Sequence, residues 1–366
     1  MNNARDPVNA TRDSVNPLNR TISNKAVLIS GAGGYIGSAL AQETIRSGAK
    51  LVLLLDHSEQ NLYDIHTELT AGGSSSHLPI LGDISDKALL DELFEKHRPR
   101  SILHAAAFKH VPLMEANPIA VIRNNVLGTR ILADAALRHR IPQLVMVSTD
   151  KAVNPRSVMG ASKRVSELIL LRLSGPHTRM SALRLGNVLG STGSVAPLFH
   201  QQIARGGPVT VTHPESRRFF LSLRDTVDLI LAATALNADA AILIPDLGAP
   251  IKIADLANKL IREAGRRSDE IEIVYTGLRP GDKLAEDLTS AAEWLEPTSD
   301  PSLRKINGPG PTSQHLDSAI EVISENVSAR NLAPLIETLC GLVPEYQPSE
   351  SLQQFLHPIA SLTRQT

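Results

Sequence analysis

Two rhythms of apolar positions alternate along the first half of this chain. Short, almost unbroken apolar runs rich in Val, Ile and Leu recur at Ala26–Ser30, Leu51–Leu55, Leu78–Leu81, Ile102–His104, Leu144–Ser148 and Ser181–Leu185. Longer segments with apolar residues at helical spacing lie between them, at Ala39–Ser47, Lys87–Lys96, Ala120–Leu137 and Arg164–Leu173. A strand that is apolar on both sides needs cover on both sides, and intervening helices supply it. The pattern therefore predicts an α/β protein with a doubly wound, parallel-sheet Rossmann domain over residues 25–186. Beyond Asn187 the rhythm loosens into Gly- and Pro-bearing loops (Gly190–Pro197, Gly206–Pro208), with helices expected near Arg224–Leu236 and Lys252–Ala264. This stretch, 187–295, reads as a smaller substrate-binding lobe interleaved with the first domain. The Pro-, Gly- and Ser-rich segment Pro297–Thr312 reads as a linker or mobile loop. Amphipathic segments at Leu316–Ile323 and Leu332–Leu339 make 296–366 a linker with a helical extension. Residues 1–24 are polar, without the apolar stretch of a secretory leader, and read as a flexible tail.

Composition narrows the partners. A formal net charge of −1 gives no footprint for nucleic acid or an anionic membrane. Cys340 is the single cysteine, which excludes an internal disulfide framework and a cysteine zinc site, and no metal site is expected. No run approaches the roughly 18 apolar residues that would span a bilayer. The expectation is a cytoplasmic protein.

The first strand is followed by Gly31-Ala32-Gly33-Gly34-Tyr35-Ile36-Gly37 and then by a helical pattern. Gly31 permits a tight turn, Gly33 and Gly34 let the backbone approach a pyrophosphate, and Gly37 lets helix and strand pack closely. The helix N-terminus turns free N–H groups toward the anion. The second strand ends in Asp56, about 20 residues beyond the last glycine, where a carboxylate accepts ribose hydroxyls. His57 and Ser58 follow in place of an arginine, which favours NAD over NADP. Asp83 and Ile84, after the third strand, would edge the adenine. The small run Ala105-Ala106-Ala107, after the fourth, would lie against the cofactor, with Lys109 facing cofactor or substrate.

Several longer segments carry a resemblance: HAAAFKHVPLMEANP from His104, NNVLGT from Asn124, STDKAVNP from Ser148, LGNVLGSTGSVAPLF from Leu185, ARGGPVTVTHPE from Ala204 and TGLRPGDKL from Thr276. From about Lys25 to Leu288 the chain resembles the polysaccharide-biosynthesis nucleotide-sugar dehydratases, which are extended short-chain dehydrogenases/reductases. The most similar branch is the UDP-N-acetylglucosamine 4,6-dehydratases of bacterial glycan pathways. Larger members carry an N-terminal transmembrane region, and the chain looks like the soluble catalytic part alone.

The resemblance implies a redox-neutral reaction: oxidation at sugar C4, loss of water across C5 and C6, and reduction at C6, with NAD recycled. Carried over onto this sequence, Asp150 is the acid toward the C6 oxygen and Lys151 the base toward C5. Thr149 would bond the C4 hydroxyl and Lys163 the nicotinamide ribose. The superfamily's catalytic tyrosine is replaced by Met159, which cannot exchange a proton. Four residues from Lys163 on a helix, Met159 should look into the same pocket or serve as packing. Whether Asp150, a relay through Thr149, or water takes the C4 hydroxyl proton stays open. Asn125 fits the helix-interior asparagine that props the catalytic lysine through water. His110 and Glu115 would touch the sugar or shape its loop. For the UDP moiety, Arg218 and Arg279 would clamp the diphosphate, Asn187 would offer an amide there, and Ser194, Val195 and Gln201 through Thr210 would wrap uracil and ribose.

The reading is thus a UDP-N-acetylhexosamine 4,6-dehydratase, with retention at C5 suggested by the HVPLME-type segment. The superfamily implies a homodimer through helices flanking the active site. The rivals are a C5-inverting dehydratase, a nucleotide-sugar 4-epimerase, which in its known form relies on the missing tyrosine, and a non-catalytic NAD-binding sensor, which has no use for an acid–base pair.

Overall fold

The computed structural model describes residues 21–267, 269–308 and 313–356. Strands β1 (Ala26–Ser30), β2 (Leu51–Asp56), β3 (His77–Leu81), β4 (Ser101–His104), β5 (Gln143–Thr149) and β6 (Arg179–Leu185) form where the apolar runs place them. They pair in parallel in the order β3-β2-β1-β4-β5-β6. The fold class is the expected one, a mostly parallel sheet covered by helices on both faces. β1 pairs with both β2 and β4, so the strand order reverses there and a crevice opens beyond Ser30 and His104. Ligands of open α/β sheets bind at such a switch point.

The sheet does not stop at β6. Ala241–Pro245 adds a further parallel strand, and Leu303–Asn307 and Trp294–Pro297 complete the edge in antiparallel fashion, giving nine strands among the described residues. The segment from Pro297 to Asn307, expected as linker, is thus in large part the end and return strand of an edge hairpin. Leu303 and Ile306 are buried against the neighbouring strand. Positions 309–312 of that call lie outside the described residues, as do residues 1–20 of the expected tail. Of the remainder of the tail, Ile22 is fully buried and Ser23 bridges Ala49, so the fold engages the chain a few residues earlier than expected.

The smaller lobe has its own core, built from Phe199, Ile203, Val209, Val211, Leu260 and Ile261 with their neighbours. Three short strand pairs connect its pieces: Asn187–Val188 with Phe220–Leu221, Arg217–Arg218 with Ile251–Lys252, and Val209–Val211 with Ile273–Tyr275.

Helix Val158–Leu173 is the centre of a second apolar layer. Every residue from Val158 to Leu170 is buried, as befits a helix covered on all sides. Its inner side meets the sheet. Its outer side packs with helices Ser313–Ala329 and Leu332–Leu342 through Leu316, Ile323, Leu335 and Leu339. Asp317 pairs with Arg130 at 3.0 Å and with Arg172 at 3.3 Å, and Gln347 N–H donates to the Pro155 carbonyl at 3.0 Å. The outer flank of this helix is therefore covered by the chain's own later helices. Among the described residues no helix is long and apolar enough to cross a membrane.

Candidate active site

The glycine loop closes tightly on the switch point. Gly31 has φ +69°, and a Cβ there would fall 2.7 Å from the Ala106 backbone, so the turn and the Ala105–Ala107 run approach as only glycine permits. Gly33 is fixed from the far side, where a Cβ would lie 2.5 Å from the Asn61 carbonyl oxygen. Asp56 accepts the N–H of Gly33 and of Ser58, each at 2.9 Å, which locks the carboxylate at the strand end. His57 meets the Phe108 ring edge-on, and Ile84 packs against Gly128. Asp83 caps its own turn by accepting the Ser85 N–H at 2.7 Å. Tyr35 reaches out of the loop to donate its hydroxyl to the Leu189 carbonyl at 2.9 Å, joining the glycine turn to the smaller lobe. A pyrophosphate-accommodating turn, a strand-end carboxylate and a bare alanine backbone fit a dinucleotide.

Beneath this crevice His104 is buried between the Ser30 hydroxyl (2.7 Å) and the Thr129 hydroxyl (3.0 Å). Burial, with Lys163 nearby, pushes it down to about 3, so it is neutral. Between pH 6.5 and 3 the unfolded chain binds this proton and the folded chain does not. Stability is fully present above 6.5 and should fall as the pH drops through that window, by on the order of 1 kcal/mol per pH unit. Urea unfolding as a function of pH checks this, and His104→Asn should flatten the acid limb.

Strand β5 ends in Thr149, whose side chain accepts the Lys151 N–H and caps the single 3₁₀ turn Asp150–Ala152. Thr149 Oγ1 donates to Asp150 Oδ1 at 3.0 Å, and Lys151 Nζ donates to the same oxygen at 2.9 Å and to Asn187 Oδ1 at 3.2 Å. Asp150 is fully buried and its Oδ2 has no hydrogen-bond partner among the described residues, whereas the Lys151 side chain keeps 23 % of its surface exposed. Burial holds the Asp150 carboxyl above the usual carboxylate range against the pull of Lys151. For Lys151, burial pulls downward but Asp150 and Glu286 outweigh it, and the net direction is up. The turn and the next helix are in backbone contact, because the Lys151 carbonyl occupies the place of a Cβ on Gly160.

Lys163 lies on that helix, buried, and is lowered to about 8 by burial, with Glu167 opposing. Asn125 sits in a π-helical turn, Arg123–Gly128. Its side chain bonds both backbone groups of Phe108 and donates to the Ser162 hydroxyl at 3.0 Å, so it steadies the lysine's helix by direct contact.

Several expected roles change. Met159 is 3 % exposed and belongs to the apolar layer with Val121, Val165 and Leu316, so the position supplies packing. Glu115 is buried, and it accepts the Val158 N–H at 2.7 Å and the Ser349 hydroxyl. It thereby ties the active-site helix to the carboxyl-terminal unit. Arg218 has its guanidinium folded inward onto the carbonyls of Arg217 (2.7 Å), Lys283 (2.8 Å) and Leu284 (3.2 Å), which makes it a strut of the loop in place of a free phosphate clamp. Gln201 is exposed, and it is Gln202 that bonds Thr210.

Other calls sit where a ligand can reach them. Arg279 keeps 58 % of its side chain exposed beside Asp282. Lys109 and His110 are exposed at the mouth of the crevice, with His110 packed on Gly193. Ser194 has a buried hydroxyl without a partner, next to the half-buried Val195. Two residues escaped the sequence reading, Glu286 and Lys283, which complete the charge cluster around Lys151. Their one signal was position, within and just after TGLRPGDKL.

A glycine turn at the switch point, with an Asp-Lys pair at the end of β5 and a lysine on the next helix, defines an α/β protein of the Rossmann kind. The chain belongs to the polysaccharide biosynthesis protein family, whose model matches residues 27–307. It is 44% identical over 293 residues to the capsular polysaccharide biosynthesis protein CapD of Staphylococcus aureus, covering 79% of this chain and 48% of that one. The chain thus spans about half the length of that relative. It is 32% identical over 282 residues to a UDP-glucose 4-epimerase of Rickettsia rickettsii, covering 75% of this chain and 80% of the relative. Among solved structures, Pen from Bacillus thuringiensis superposes with a TM-score of 0.72 at 28% identity, over 80% of this chain and 89% of that one. The dTDP-glucose 4,6-dehydratase DesIV from Streptomyces venezuelae, with NAD bound, shares the fold at TM-score 0.64 and 20% identity, over 83% and 98%.

Proposed function

We propose that the chain is an NAD-dependent 4,6-dehydratase of a UDP-N-acetylhexosamine, acting in glycan assembly. The observation that carries this reading is the Asp150–Lys151 pair at 2.9 Å, one partner fully buried and the other reaching the crevice, where the usual tyrosine position is packed into the core. When bound, NAD supplies a reversible two-electron acceptor beside Lys163.

The chain's own residues do the proton work. A ketone at C4 acidifies the C5 proton, which a neutral Lys151 amine removes, while Asp150 in its acid form protonates the departing C6 oxygen. Burial favours that acid form. The ion pair Asp150⁻/Lys151⁺ and the working pair of acid and amine have the same net charge, so one proton moving across 2.9 Å interconverts them. Thr149, already donating to Asp150, is placed to link the pair to a C4 hydroxyl.

The second reading, a 4-epimerase, draws on the Rickettsia relative. Incubation of the purified protein with UDP-N-acetylglucosamine separates the two. A product lighter by one water supports the dehydratase, an isomer of unchanged mass supports the epimerase, and bound NAD without product supports a sensor. NMR of the keto sugar then reads the C5 configuration, with retention expected.

A further inference from the structure

Glu286 lies in the loop that follows TGLRPGDKL, held there by the Ala285 bridge to Arg217. Its side chain is buried, yet three cations surround it. Oε1 is 3.5 Å from Lys151 Nζ and 3.6 Å from Arg218 Nε, and Oε2 is 3.6 Å from Lys283 Nζ. Oε2 makes no hydrogen bond among the described residues. The Lys151 ammonium accordingly faces three side-chain oxygens from three separate segments: Asp150 Oδ1, Asn187 Oδ1 and Glu286 Oε1.

Resting on the dehydratase reading, the chemistry asks one proton to move between Asp150 and Lys151. Both arrangements of that proton carry the same net charge, so neighbouring fixed charges decide between them. Arg218 and Lys283 oppose the ammonium, and Asp287 acts at one remove, through Lys283. Apart from Asp150 itself, Glu286 is the one carboxylate within 4.0 Å of Lys151 among the described residues. We propose that Glu286 is a positioning residue, the fixed counter-ion that holds the Lys151 ammonium over Asp150 and sets which member of the pair carries the proton.

The direction of the effect follows. The Glu286 carboxylate raises both Lys151 and Asp150. In Glu286→Gln, which keeps the shape and removes the charge, each proton should leave more readily. Both limbs of the kcat–pH profile are expected to move to lower pH by about one unit. A readout independent of turnover is the titration of Lys151 in reductively ¹³C-methylated protein, its NMR signal assigned with Lys151→Arg. The midpoint should fall by about one unit in Glu286→Gln, and should rise in Lys283→Met, which removes an opposing cation. An unmoved Lys151 midpoint in Glu286→Gln, or a kcat lowered equally at every pH with its limbs in place, overturns the proposal. Should Glu286→Gln not fold, Lys283→Met decides, and a midpoint that does not rise overturns it. Wild-type protein that removes no water from any UDP-sugar defeats the dehydratase reading alone, and the titration still judges Glu286.

Discussion

Asp150→Asn and Lys151→Met are each expected to lower the rate of water loss from the UDP-sugar by about 10²–10⁴-fold, the usual contribution of a positioned acid or base. Both substitutions preserve much of the local packing. Asparagine keeps an oxygen for the Thr149 hydroxyl, and methionine keeps the apolar stem of Lys151 while withdrawing its amine. The proposed pyrophosphate and ribose contacts of NAD lie on other strands, around Gly31 and Asp56, and touch neither residue, so NAD affinity should be nearly unchanged. Product mass spectrometry under single-turnover conditions, with NAD binding followed by calorimetry, checks both halves. Turnover at the wild-type rate in either variant would remove the pair from the chemistry.

The second large effect concerns the support behind the pair. Arg184 on β6 is 1 % exposed and forks onto Glu167 with two bonds of 2.9 Å, and onto Glu293 at 2.8 and 2.9 Å. Glu167 also accepts the Ser148 hydroxyl at 2.7 Å and Arg164 at 3.0 Å, and it is held down at about 2 by Arg184 and Arg164 despite its burial. Ser148 directly precedes Thr149 on β5, so this network anchors the strand that presents Thr149, Asp150 and Lys151. Removing one partner strands the other's charge out of water. Arg184→Met should therefore cost about 3–5 kcal/mol, whereas replacing a buried ion pair wholly by apolar residues is often close to neutral. Denaturant melts of Arg184→Met and of the double variant Arg184→Met/Glu167→Leu measure the difference. A single variant as stable as wild type would contradict the assignment.

Much of this architecture was legible in the sequence because it rests on local repetition. The six parallel strands announced themselves as apolar runs between helical segments, and the glycine turn as a spacing that only a close backbone approach explains. What escaped was set by distant contacts. The strand Leu303–Asn307 has just two buried positions, and the Pro, Gly and Ser residues around it read as linker until Ala241–Pro245 offers an edge to pair with. Met159 has helical spacing to Lys163, yet its surroundings come in part from Leu316 and Leu335, over 150 residues away. Glu115 stands in a motif-like segment, but its partners are Val158 and Ser349. Glu286 carries no local pattern, since the charges it meets come from the end of β5, from Arg218 and from Lys283.

The carboxyl-terminal helices that wall in Val158–Leu173 set an order on synthesis. A nascent chain emerges amino end first, and the sheet from β1 to β6 can begin to associate while later residues are still being made. The outer flank of this helix then stays wet until Leu335 and Leu339 have left the ribosome. Enclosure of the helix that carries Lys163 thus comes after the sheet behind it has begun to assemble, and a chain that stops short of Leu335 presents a long greasy stripe for chaperones to meet.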